Sequence, residues 1–90
     1  MPSYLVETYL PHDRAGDRAA RERRARSAAR ELTRAGIRVS FDHSIHVPED
    51  EICFFVFDAQ SDREASLAGQ RAGLDPIRVV EAITSSKETQ

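Results

Sequence analysis

The sequence predicts a single α+β domain in which the chain runs strand, helix, strand, strand, helix, strand. Three observations carry this expectation. Apolar periodicity passes twice from a short strand-like run to the longer repeat of a helix and back. Both helical stretches end at a glycine, Gly36 and Gly73, with a fresh apolar run beyond. Ninety residues without a repeat, a low-complexity block or a linker leave room for one core, placed over residues 1–84, with a flexible tail at residues 85–90. At this length folding hides only roughly 60–65% of the chain's surface, so a large internal cavity competes with the core for apolar side chains. A partner subunit is the natural source of further burial.

The first strand covers residues 4–10, where Tyr4, Val6, Thr8 and Tyr9 supply aromatic and β-branched side chains, and Pro11, which has no ladder donor, closes it. A polar loop follows over residues 12–16. Residues 17–35 are rich in alanine and arginine, both strong helix formers. At 100° per residue Ala25, Ala28, Ala29, Leu32 and Ala35 share one face, and Arg23, Arg26, Arg30 and Arg34 gather on the other, so this is an amphipathic surface helix stopped near Gly36.

Residues 37–45 alternate. Ile37, Val39, Phe41, His43 and Ile45 point one way, and Arg38, Ser40, Asp42 and Ser44 the other. Turn residues from Val47 to Asp50 precede the apolar run Ile52, Cys53, Phe54, Phe55, Val56, Phe57, so the two runs read as a hairpin. With the turn at residues 47–50, Ser44 faces Cys53, His46 faces Glu51 and His43 lies opposite Phe54. Six successive apolar residues mark a strand buried on both sides.

Ser61 and Glu64 have the spacing of a capping box, which starts a second helix reaching about Ala72. Gly73 suits the left-handed residue after it, and Asp75-Pro76 prevents its continuation before the last strand, residues 77–83. This order matches the split βαβ, or ferredoxin-like, arrangement: an antiparallel four-stranded sheet with both helices on one face. The other face carries apolar groups from the third strand. It therefore calls for a second sheet, and the expectation is a homodimer of the dimeric α+β-barrel type in which sheets meet face to face, with Phe55 and Phe57 at the interface and further pairing through edge strands possible in principle.

Composition narrows the function. Cys53 is the one cysteine, which excludes an intramolecular disulfide framework and an all-cysteine zinc or iron-sulfur cage from one chain, and fits a cytoplasmic setting. The first ten residues lack a basic leader, and no apolar run nears the ~20 residues of a membrane span. Thirteen basic against fifteen acidic residues give a net charge of -2, without an overall pull toward nucleic acid or an anionic membrane. The arginines of residues 14–35 recur on the polar side of a helix, where a solvated face is the simplest reading and phosphate binding the minority one. The third strand echoes an RNA-recognition strand only in its aromatics, because Asp50 and Glu51 precede it where a basic residue and glycine belong. There is no glycine-rich phosphate loop and no activated nucleophile. No organic cofactor is expected, and Glu7 is expected to pair with Arg78 rather than with a catalytic partner.

Three histidines remain as the most versatile groups. On a straight strand His43 and His46, three apart, point to opposite faces and do not close on one ion. On the register above, His46, Glu51 and Cys53 form a nitrogen, oxygen and sulfur cluster near the strand end, which suits nickel or zinc better than calcium or magnesium. The bland alternative makes His46 and Glu51 an exposed cross-strand pair and Cys53 ordinary core. His43 is either a hydrogen-bonded histidine in a half-buried sheet or a ligand. His12, between Pro11 and Asp13, reads as a solvated loop residue.

The opening Met1-Pro2 before residues 4–11, the element Phe41, Asp42, His43, Ser44, the acidic turn before a cysteine-containing apolar strand, and the exit Ala72-Gly73-Leu74 occur here in order. In that order, over residues 2–83, the sequence resembles a family of small bacterial ferredoxin-like proteins, a domain of unknown function with a nickel-binding member. The resemblance implies a dimeric α+β assembly and nickel binding, and it transfers to His43 and Ser44. The hairpin between His46 and Glu51 is longer here than in the family. The expectation is thus a cytoplasmic homodimer that binds a transition metal through His43, with His46, Glu51 and Cys53 as further ligands, acting as a binding protein rather than a catalyst. The rival is similar to cofactor-free monooxygenase-like proteins: a dimeric enzyme or carrier holding a small apolar molecule in a pocket of Phe41, His43, Phe54 and Val56, with His43 as acid-base group. Binding of nucleic acid or another partner through the arginine helix comes third.

Overall fold

The computed structural model describes residues 1–83 and residue 85, so the tail expected over residues 85–90 lies, Ser85 apart, outside the described residues. The elements follow the expected order: β1 (Ser3–Tyr9), α1 (Arg18–Arg34), β2 (Val39–Val47), β3 (Ile52–Ala59), α2 (Asp62–Arg71) and β4 (Arg78–Ala82). The four strands form one antiparallel sheet in the order β2-β3-β1-β4. Each helix therefore crosses over a central strand and lies on the same side, which is the ferredoxin-like arrangement. Among the described residues no helix is long and apolar enough to cross a membrane.

Glycine ends both helices in the same way. The N–H of Ile37 donates to the Leu32 carbonyl at 2.9 Å and that of Gly36 to Thr33 at 3.0 Å, with Gly36 at φ 96°. At the end of α2 the N–H of Leu74 donates to Gly69 and that of Gly73, at φ 72°, to Gln70, both at 3.0 Å. These paired bonds are the Schellman motif, which satisfies carbonyls that a helix end otherwise leaves bare. The start of α2 uses one arm of the expected capping box: Glu64 donates its backbone N–H to Ser61 Oγ at 3.3 Å.

The core lies between the sheet and the helices. Alternate residues of the central strands face it, Tyr4, Val6 and Thr8 from β1 and Cys53, Phe55, Phe57 and Ala59 from β3, all buried. The helices answer with Ala25, Ala28, Ala29 and Leu32 from α1 and Ala65 and Ala68 from α2. Small side chains let the helices settle close to large sheet residues, and at Gly69 the fit leaves no room for a Cβ, which would stand 3.0 Å from Val6. Thr8, fully buried, donates its hydroxyl to the Cys53 carbonyl at 2.8 Å and so brings no unsatisfied polar group into the core.

Two expectations are corrected by the sheet. Phe55 and Phe57 are fully buried beneath the helices, and the aromatic that β3 turns to the other face is Phe54, with Val56 beside it. A run apolar on both sides gives no parity, so the sequence could not say which half faced inward. The hairpin register also differs by two residues: His46 lies opposite Cys53, Ser44 opposite Phe55 and His43 opposite Val56. The connection is a single 3-10 turn, Pro48–Asp50, followed by Glu51 in the left-handed conformation (φ 56°, ψ 36°). A non-glycine residue in that conformation carries no turn signature.

Candidate functional site

Strand β2 contains a bulge. Phe41 pairs with Phe57 and His43 with Val56, which leaves Asp42 as the extra residue. Its consequence is a change of face. Phe41 lies under α1, with the Arg26 guanidinium 5.2 Å above its ring and Phe57 edge-on at 5.4 Å. Ser44 also faces α1, since its hydroxyl donates to Glu22 Oε2 at 2.5 Å. His43 and Ile45 therefore point to the open face, although the alternation of residues 37–45 placed them with Val39 and Phe41. The pocket of Phe41, His43, Phe54 and Val56 is not brought together, because Phe41 stands on the opposite side of the sheet from the other three.

His43 is more than half exposed, and its Nδ1 lies 3.4 Å from Asp42 Oδ2. Around it the open face is largely apolar. Leu5, Phe54 and Val80 are half-buried there, and Tyr9 and Ile45 are 55% and 45% exposed. The expected ion pair from Glu7 to Arg78 crosses this face at 3.4 Å. These five side chains share one face of the sheet.

The other three candidate ligands sit elsewhere. His46 is on the helix side near the hairpin, with Nε2 3.3 Å from the Leu10 carbonyl, opposite Cys53 rather than Glu51. Glu51 turns its carboxylate to His12 Nδ1 at 3.6 Å, an exposed pair of small energetic weight. Cys53 is fully buried. Burial pushes its thiol up, against the lowering influence of Arg18 and Arg21 on α1, with Glu22 adding to the rise and a hydrogen bond with Ser44 opposing it. A protonated, enclosed thiol is a poor nucleophile and a poor ligand. The structure thus joins His46 to Cys53 as cross-strand neighbours, separates Glu51 from both, and leaves His43 on the far face. Among the described residues no three of His, Cys, Asp or Glu are placed to hold a metal ion. The alternation of the strand assigns Asp42 to a face like any other residue, and nothing in it marks the bulge that sets this carboxylate beside the His43 ring.

A second polar feature lies along α1. Arg26, Arg30 and Arg34 form a row one turn apart that lines an open groove of about 520 Å³ against Val39, Ser40 and Phe41 of β2. None of the three has an acidic partner among the described residues. Like charges at this spacing cost a helix roughly 0.2–0.5 kcal/mol per pair.

Neither a protein-family model nor a curated protein sequence matches the chain. Its fold is similar to that of the crystal structure of SCO4226 from Streptomyces coelicolor A3(2), with a TM-score of 0.68 and 16% identity, covering 92% of this chain and 98% of that one.

Proposed function

We propose that two copies of this chain associate through the open face of the sheet and bind a transition metal ion, nickel in the first instance, between them. The protein acts as a cytoplasmic metal-binding protein rather than a catalyst. The observation that carries this reading is the pair of Asp42 and His43. A carboxylate beside Nδ1 is the arrangement that orients a ligating imidazole, with Nε2 as the nitrogen for an ion. The bulge turns that ring to the open, largely apolar face of the sheet.

On that face the described residues of one chain supply a single imidazole, too few donors for an ion. A two-fold axis through the open face brings two such imidazoles together, each beside its own Asp42, a nitrogen pair that suits nickel or zinc with water completing the shell. The fully buried Cys53 fits the same picture, since a lone protected thiol is what a reducing compartment permits. His46, Glu51 and Cys53 have no part in this site in the geometry described above.

Calorimetric titration of tag-free protein with nickel and with zinc tests the reading. The expected result is one ion per two chains, lost in His43→Ala and retained in Cys53→Ala. No saturable uptake, or uptake indifferent to His43, would remove it.

A further inference from the structure

We propose that the groove between α1 and β2 binds a small organic anion bearing a phosphate group on an apolar body. The acids that would ordinarily neutralise α1 are committed elsewhere. Glu22 accepts from Ser44, and Glu31 faces Arg71 at 3.5 Å. Arg26, Arg30 and Arg34 are left with three guanidinium groups of one sign along one wall, in a chain whose net charge is -2. Such a row repels itself until an anion lies against it. The planar fork of arginine matches the oxygens of a phosphate two at a time. Opposite the row Phe41 is only half-buried, one face of its ring lying under Arg26, and the part left open gives the groove an apolar wall beside its charged one.

The geometry favours this class over two others. An acidic peptide adding as a strand would need the free edge of β2, yet the Val39 carbonyl already accepts from Thr33 Oγ1 at 2.8 Å and the bulge at Asp42 interrupts the edge just beyond. Single-stranded nucleic acid would need a row of phosphate contacts and a bare aromatic for its bases. The arginine row spans only about 12 Å, and the Phe41 ring is already covered by Arg26. The site is on the helix side of the sheet, away from His43, and does not depend on metal binding.

The test is a nuclear magnetic resonance titration of isotopically labelled protein with phenyl phosphate, inorganic phosphate and a short single-stranded RNA, in wild type and in the variant Arg30→Gln, Arg34→Gln. Both arginines are exposed, so the variant keeps the fold, checked by its amide spectrum. The expected result is saturable shifts at residues 29–34 and 39–41, with phenyl phosphate binding about tenfold more tightly than inorganic phosphate and the variant weakened about tenfold or more. Shifts that do not saturate, equal affinity for the two phosphates, an unaffected variant, or tighter binding of the RNA would each overturn the proposal.

Discussion

Replacing Ile45 by aspartate probes the association of two sheets at an exposed aliphatic position of the open face. The side chain is 45% exposed in the single chain, so about half its surface is left for a partner to cover. Complete burial of an isoleucine stabilises by about 1.5–3 kcal/mol, which makes the uncovered half worth about 1 kcal/mol. Two-fold symmetry counts the change twice, for about 2 kcal/mol of lost burial. Each introduced carboxylate also meets an apolar surface without a hydrogen-bond partner, at about 1–3 kcal/mol apiece. The sum is about 4–8 kcal/mol, and at 1.4 kcal/mol per decade the dissociation constant rises by about three to six powers of ten. Sedimentation velocity from micromolar to millimolar protein reads this directly. Circular dichroism should be unchanged, since aspartate at 45 remains at the surface of the lone chain, and Gln60→Asp, exposed on the loop after β3, should associate as wild type does. A wild-type protein that sediments as a single chain at millimolar concentration refutes the reasoning, and so does an Ile45→Asp protein that associates normally.

Asp42→Asn should weaken nickel binding about 10- to 100-fold in calorimetry while leaving the fold intact, because it removes only the charge that holds the His43 ring. Gly69→Ala gains about 1 kcal/mol of helix propensity but places a Cβ 3.0 Å from Val6 Cγ1 and 3.1 Å from Pro76 Cγ; a buried central-strand side chain and a rigid ring have little room to yield, so denaturant unfolding should show a net loss of about 1 kcal/mol. Ser61→Ala removes the acceptor for the Glu64 N–H and should cost about 1 kcal/mol by the same measurement. The buried thiol of Cys53 sits above its ordinary value of 9.0, chiefly through burial, so the folded state favours its protonated form. Its contribution to stability is complete below that value and fades as the pH rises past it toward the raised folded value, and Cys53→Ala should flatten this first alkaline loss. Tyr4, raised from 10.0 by burial and then by Glu81, Asp62 and Glu64, adds a loss that starts higher, and a stability curve level from pH 8 to beyond both values would contradict both assignments.

The order of elements was readable because the punctuation was local. Gly36 and Gly73 each sit two residues beyond a helix and adopt the left-handed conformation that few other residues accept, and Ser61 caps the helix it precedes. Parity and register were not local. β3 is apolar at every position from Ile52 to Phe57, so only its neighbours decide that Phe55 and Phe57 face the helices. The hairpin uses Glu51 where glycine or asparagine would have announced the turn, and this hid a register two residues away from the expected one. At the candidate site the identity of His43 was legible from its place in the strand, but its direction was not. A single inserted residue leaves the visible alternation of β2 undisturbed while it reverses the half beyond.

The doubled position at Asp42 lets one strand answer to two different selective pressures. Side chains 39 and 41 are judged by how well they fit a helix, and side chains 43 and 45, only two places on, by whatever approaches from outside. Deleting residue 42 would set residues 41 and 43 side by side opposite Phe57 and Val56 and leave every remaining side chain of the strand on its present side, so what the extra residue supplies is a change of face within an otherwise alternating sequence.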